Sequence, residues 1–227
     1  SDRSPLIRAP GGLLPIMLSG AHAWPYVSVP QRQLDERVLH LPRGKVLGGG
    51  SSINGMVYDR GFISDWDRIG AHNLGWSHAE VLPYFRRSET FYRAGDPFHG
   101  DSGPIQVSRP GAKHPFARAF LEAGQQAGFA YNDDSNGATR EGFGPVDVTI
   151  GRGVRSSASR AYLRPARHRP NLTVLTGAHA TRILLEGQRA TGVEYLRGGQ
   201  LERAHAAREV LLCGGAINSP QLLMLSG

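Results

Sequence analysis

The residues whose types and spacing could do chemistry lie in one stretch, LPRGKVLGGGSSINGMVYDRG, at positions 41–61. Three consecutive glycines, Gly48 to Gly50, precede two serines and a mostly apolar run that closes on Asp59, Arg60 and Gly61. Glycines let a backbone approach a bulky ligand, and free amides at the start of a helical turn favour an anion. One reading is therefore a phosphate-bearing ligand, and the other is a plain tight turn. The spacing fails two nucleotide motifs. A P-loop needs Ser or Thr after its Gly-Lys pair and a glycine upstream, whereas Gly44-Lys45 is followed by Val46 and Leu39 stands at the glycine position. The dinucleotide fingerprint G-x-G-x-x-G fails around Gly48, and GRGVRS at 151–156 begins like it but ends in Ser156.

Other catalytic patterns are absent from the sequence. The nine histidines include no H-E-x-x-H and no paired His–carboxylate spacing, and there is no G-x-S-x-G. This weighs against hydrolase, kinase and zinc-enzyme readings. The single cysteine, Cys213, rules out an internal disulfide framework and a multi-cysteine metal site. At the end of a strand-like run it reads as a small apolar residue of the core.

Elements must position the glycine stretch. Pro5, Pro10, Pro15, Pro25 and Pro30 exclude a long helix in residues 1–40. SSINGMVYDRG reads as a short helix capped by Ser51 or Ser52, and WSHAEVLPYFRRSETF as a surface helix capped by Ser77, with Pro83 a kink or an early end. Residues 95–111 read as a loop holding one short strand, Ile105 to Ser108. HPFARAFLEAGQQAG is an amphipathic helix with Phe116, Phe120, Leu121 and Gly124 on one side and Gly128 at its end. NDDSNG is a turn cluster, and GFGPVDVTI alternates like a strand. NLTVLTG, ATRILLEG, ATGVEYLRG and AREVLLCGGA read as four strands, the last followed by a helix starting near Ser219-Pro220. A buried strand, a Gly-Gly turn and then a helix is the pattern of an α/β nucleotide-binding domain.

With 227 residues, 40% of them hydrophobic, the chain can bury one large core or two small ones. No apolar run approaches the ~20 residues of a membrane span, and the start SDRSPLIRAP lacks the apolar region of a secretory signal. The formal net charge is +7, and of 26 Lys and Arg only Lys45 and Lys113 are lysine. The arginines are scattered singly or in pairs without interleaved stacking aromatics, so no nucleic-acid footprint is drawn. A reducing cytoplasm is the expectation, with the sequon Asn171-Leu-Thr173 a chance match.

Two stretches taken together, RGKVLGGGSSINGMVYDRG and EVLLCGGAINSPQLLMLSG, closely resemble the paired signatures of the glucose-methanol-choline (GMC) oxidoreductases, which are FAD enzymes. GWSHAEVLPYFRRSE, FHGDSGPIQVS, EGFGPVDVTIGRGVRSSASRAYL and RPNLTVLTGAHATRI fit the same family, so the resemblance spans nearly the whole chain. It leans toward the choline dehydrogenase and alcohol dehydrogenase branch.

The resemblance implies an α/β fold: an FAD-binding Rossmann-like domain, incomplete because the N-terminal G-x-G-x-x-G unit is missing, with part of an α+β antiparallel-sheet substrate domain. Residues 1–104 and 155–227 would form the flavin domain and residues 105–154 the substrate part. Gly49, Gly50, Asn54, Gly55, Met56 and Val57 would run along the FAD through backbone amides and the Asn side chain, and Ala180 would meet the adenine. The family usually has Ser where Gly50 stands. Ile53 occupies the position of the His that carries flavin covalently in some members, so FAD should be noncovalent. Leu222, Leu223 and Leu225 would be core. No catalytic residue and no metal ligand is assigned, because the family's catalytic His pair would lie beyond Gly227. The implied activity is oxidation of choline or another primary alcohol to the aldehyde, this chain being an inactive fragment of the enzyme. A hydroxynitrile lyase-like protein that keeps FAD, or a truncated product without function, are the alternatives. Implied partners are a small alcohol and an electron acceptor such as a quinone, with no nucleic acid. The implied location is cytoplasmic, with peripheral attachment at the inner membrane as an option.

Overall fold

The computed structural model describes residues 2–93, 95–110 and 114–227. The chain divides into two units, Ser1–His168 and Arg169–Gly227, each with helices and strands.

The first unit opens with α1 (Pro5–Arg8) and α2 (Leu13–Ser19), joined by a 3-10 turn at Pro10–Gly12. The prolines keep both helices short, and Gly20 ends α2 in the left-handed region at φ 63°. Strand β1 (Ala23–Trp24) pairs antiparallel with β2 (Arg43–Gly44), which leads directly into the glycine stretch. The helix expected after Ser51 or Ser52 is instead a 3-10 turn that ends there, Gly49–Ser52, with Gly48 as its cap at φ 88°. The serine hydroxyls point backward: Ser51 Oγ donates to Gly48 O at 2.6 Å and Ser52 Oγ to Leu47 O at 2.8 Å. Ser51 Oγ in turn accepts from the Ala158 amide at 2.9 Å, so it is engaged elsewhere and caps nothing that follows.

Helix α3 (Ile63–Gly70), not foreseen from the sequence, stacks Trp66 on Trp76 and sets it edge-on to Phe85 of α4 (His78–Ser88). Ser77 caps α4 as expected, with Glu80 Oε2 accepting from the Ser77 amide at 3.0 Å to complete a capping box. Pro83 does not stop the helix, which runs on to Ser88. The cap and the aromatic packing around Phe85 hold it through the missing amide.

Strands β3 (Glu89–Thr90) and β4 (Ile105–Gln106) pair in parallel. The loop reading of 95–111 surrounds β4, although Gly111 lies outside the described residues. Helix α5 (Pro115–Gln126) begins where expected and stops before Gly128 at φ 90°. Its apolar side is only partly covered: Gly124 is buried against Phe143, while Phe116 and Phe120 are 75% and 58% exposed. GFGPVDVTI makes no continuous strand. A Cβ on Gly144 would stand 1.6 Å from Asn132 O, and the following Pro145 lacks an amide to donate. Pairing therefore breaks up into Phe143, which bridges Tyr131, and Val148, which bridges Val57 on one side and Ser108 on the other, before Ile150 opens the next strand. The hairpin β5 (Ile150–Gly151) and β6 (Val154–Arg155) follows, then a π-helical turn at Ser159–Leu163 and α6 (Arg164–Ala166).

The second unit is an antiparallel meander of β7 (Ala178–Glu186), β8 (Arg189–Arg197) and β9 (Gln200–His205), followed by α7 (Gly215–Met224). Ser226 Oγ after α7 accepts from the Ile183 amide of β7 at 2.9 Å. Two of the four expected strands, ATRILLEG and ATGVEYLRG, form, and QLERAH is the third strand of the sheet. NLTVLTG and AREVLLCGGA hold no strand, because among the described residues they have no neighbouring strand to pair with. Cys213 is accordingly exposed and ends no strand. Helix α7 starts at Gly215, ahead of Ser219-Pro220, and leaves Pro220 inside it. The leucines expected as core are not covered: Leu222 is half-buried, and Leu223 and Leu225 are 53% and 61% exposed. Among the described residues no helix is long and apolar enough to cross a membrane.

Candidate functional site

The glycine stretch is built by a backbone crossing. A Cβ on Gly44 would come within 2.3 Å of Gly49 C and O, and one on Gly48 within 2.5 Å of Ser52 Oγ. These two glycines are needed for packing, and Gly48 and Gly49 also occupy positive φ, at 88° and 54°. The outer side of the turn is different. A Cβ on Gly49 or Gly50 would meet nothing within 4 Å, and one on Gly55 only Leu13 Cδ2 at 3.9 Å. Room for a ligand therefore lies against the backbone of Gly49, Gly50 and Gly55.

Beyond the turn the side chains alternate in role. Asn54 and Val57 are exposed, while Met56 is 6% exposed and takes φ 63°, a conformation rare for a residue with a long side chain. Asn54 supports that conformation, its Oδ1 accepting from the Met56 amide at 3.1 Å. Tyr58 N donates to Asp147 O at 2.9 Å and Thr149 N to Met56 O at 2.8 Å, which sets Val57 opposite Val148. In such a non-hydrogen-bonded pair the amide and carbonyl of Val57 face away from Val148. The stretch thus shows open glycine backbone, the Asn54 amide and the free edge of Val57.

Behind it lies Arg155, 2% exposed. Its Nη1 donates to Asn54 O at 2.7 Å and Asn54 Oδ1 at 2.8 Å, and its Nε to Ile7 O at 3.0 Å. Burial pulls this guanidinium below its ordinary value. No spacing marks this role, since Arg155 belongs to the GRGVRS run, which only fails a fingerprint.

A second cluster was also missed. Arg60, Glu89 and His99, each at most 8% exposed, form a buried charged group at the end of the same stretch. Arg60 pairs with Glu89, and Arg60 Nη1 donates to Phe98 O at 2.6 Å. The His99 ring nitrogens meet Glu89 Oε1 and Asp134 Oδ2, both at 2.9 Å, with Phe91 stacked on the ring. Burial alone would lower the His99 value, but the hydrogen bonds and charges of Asp134 and Glu89 outweigh it and lift it to about 9. Burial pushes the Tyr58 hydroxyl up to about 12. Ligand atoms of Asp96, His99 and Asp134 come within 4.8 Å of one another, as in a metal site. An imidazolium whose two nitrogens both donate to carboxylates has no lone pair for an ion. The cluster ties residue 60 to the loops around 99 and 134 and offers no metal site.

The expected adenine contact, Ala180, belongs to the second unit, where it is exposed and faces Tyr195 across β7 and β8. Gly49, Gly50, Asn54, Gly55, Met56 and Val57 are together in the first.

The GMC oxidoreductase family model matches residues 7–227. The chain belongs to the GMC oxidoreductase family. Over 97% of its length this GMC chain is 49% identical to the mitochondrial choline dehydrogenase of Homo sapiens, and over its full length 47% identical to the oxygen-dependent choline dehydrogenase of Sinorhizobium fredii. It covers 37% and 41% of those two relatives, so it spans about two fifths of their length. Among solved structures, pyridoxine 4-oxidase from Mesorbium loti superposes with a TM-score of 0.93 at 34% identity, covering 99% of this chain and 44% of that one. An FAD-dependent oxidoreductase from Chaetomium thermophilum superposes with 0.91 at 31% identity, covering 100% of this chain and 41% of that one.

Proposed function

We propose that this chain is the flavin-wall portion of an FAD-dependent oxidoreductase acting on the CH–OH group of choline or a similar primary alcohol. The observation that carries the proposal is the open, donor-bearing surface from Gly49 to Val57, in a chain 46–49% identical to choline dehydrogenases. The residues fit the cofactor. Gly49, Gly50 and Gly55 leave space against the backbone, and Asn54 and the edge of Val57 supply uncharged hydrogen-bonding groups. Bound FAD would supply the hydride acceptor for alcohol oxidation. This chain's own residues bind and orient the flavin through uncharged groups, the buried Arg155 lying behind Asn54. Ile53 offers no nucleophile, so attachment is noncovalent.

In this proposal residues 105–154 belong to the substrate part of the enzyme, and the catalytic base is carried outside the 227 residues. An electron carrier such as a quinone re-oxidises the flavin. Support for a longer polypeptide comes from the strand-like runs NLTVLTG and AREVLLCGGA, which have no neighbouring strand among the described residues, and from the open leucines of α7. The gene product that carries this chain is expected to release free FAD on acid precipitation. A colourless protein, or flavin that stays in the precipitate, contradicts this reading.

A further inference from the structure

Among the described residues Arg155 is a buried cation bonded only to neutral oxygens. Besides the Asn54 and Ile7 acceptors, its Nη1 reaches Ser51 O at 3.4 Å, and its Nη2 has no partner among the described residues. Burying a guanidinium without a carboxylate is costly, so its placement calls for a reason. Asn54 supplies one. Its Oδ1 accepts from both Arg155 Nη1 and the Met56 amide, so the exposed Asn54 is left with only its Nδ2 to offer outward. An asparagine amide at a surface can turn over and exchange donor for acceptor. Arginine cannot lose its proton and has no acceptor, so a flipped Asn54 would set two donors against each other.

We propose that Arg155 is a positioning residue that locks the Asn54 amide with its nitrogen outward, so that the surface from Gly49 to Val57 offers a side-chain donor to the acceptor edge of the ligand ring. This rests on the flavin reading above. A donor held at that edge stabilises the electron-rich reduced ring more than the oxidised one. Loss of the lock therefore weakens FAD binding and lowers the reduction potential.

The test uses the gene product that carries this chain, purified with its flavin, as wild type, R155M, R155Q, N54L and the N54L/R155M pair. The measured quantities are the FAD dissociation constant and the flavin reduction potential. R155M is expected to weaken FAD by about tenfold, the size of one lost charge-assisted hydrogen bond, and to lower the potential. In the N54L background the same change is expected to shift the potential no further. Should R155M fail to fold, R155Q carries the test, because its amide fills much of the space yet can accept as well as donate; a lowered potential at unchanged melting temperature is expected. An R155M or R155Q protein with wild-type potential overturns the proposal, and so does an equal shift with and without Asn54. A wild-type protein that holds no flavin overturns the flavin reading and this inference together, which separates the two failures.

Discussion

Gly44 and Gly49 cross so closely that a Cβ on Gly44 would stand 2.3 Å from the Gly49 carbonyl. The contact is backbone, not the end of a flexible side chain, so neither partner can move aside without shifting the turn. Gly44→Ala is therefore expected to destabilise the protein by about 1–3 kcal/mol or more and to displace the surface at Gly50 to Val57. Chemical denaturation and the FAD content of the purified gene product measure the two effects. Wild-type stability and flavin content in this variant would show that the crossing is not needed.

Gly50 makes the opposite prediction. It lies outside the positive-φ region and a Cβ there would meet nothing within 4 Å. Gly50→Ser should fold normally, lose less backbone entropy on folding, and restore the hydroxyl that the family usually carries. Tighter FAD binding is expected in a titration of the apoprotein. Weaker binding would mean that the open space at Gly50 is used for something a hydroxyl obstructs.

The His99 cluster sets a pH dependence. With its value raised from 6.5 to about 9 in the folded protein, protonated His99 contributes stability that is fully present below pH 6.5 and is lost as pH rises through about 9. Burial would raise Glu89, but its His99 hydrogen bond and the Arg60 charge outweigh that and hold it below its ordinary value. Its contribution is therefore lost on the acid side. Thermal melts from neutral to alkaline pH should show a falling melting temperature in the wild type and a flatter profile in His99→Leu, starting from a lower value. Identical alkaline slopes would remove His99 from the account.

The open leucines give a prediction about the chain by itself. Leu211, Leu223, Met224 and Leu225 are 75%, 53%, 77% and 61% exposed, large apolar side chains left open to water. The 227 residues by themselves should bind a fluorescent apolar dye, and the longer polypeptide proposed above should not. Equal, low dye binding by both would contradict the proposal that these leucines are covered by other parts of the enzyme.

Legibility in the sequence followed the range of the forces involved. Local signals were readable: the Ser77 cap, the stop at Gly128, and the turn that joins β7 to β8. Where a partner distant in sequence decides, the reading failed. Ser51 turned from a cap into an acceptor because Ala158 reaches it, and the strand expected at 142–150 shrank because Asn132 presses on Gly144. NLTVLTG and AREVLLCGGA have strand composition but, among the described residues, no strand beside them. At the site, the paired motifs pointed to Gly50, Asn54, Gly55 and Val57, which are exposed, and to Met56, whose side chain is buried. Arg155 and the Arg60–Glu89–His99 group stayed hidden because isolated arginines and histidines have no spacing that marks them as buried.

The most direct test of the central claim is anaerobic titration of the flavin-loaded gene product with choline and with simple primary alcohols. Loss of the visible flavin absorbance is expected on addition of choline or one of these alcohols, with the corresponding aldehyde formed. Bound flavin that no such alcohol reduces would contradict it.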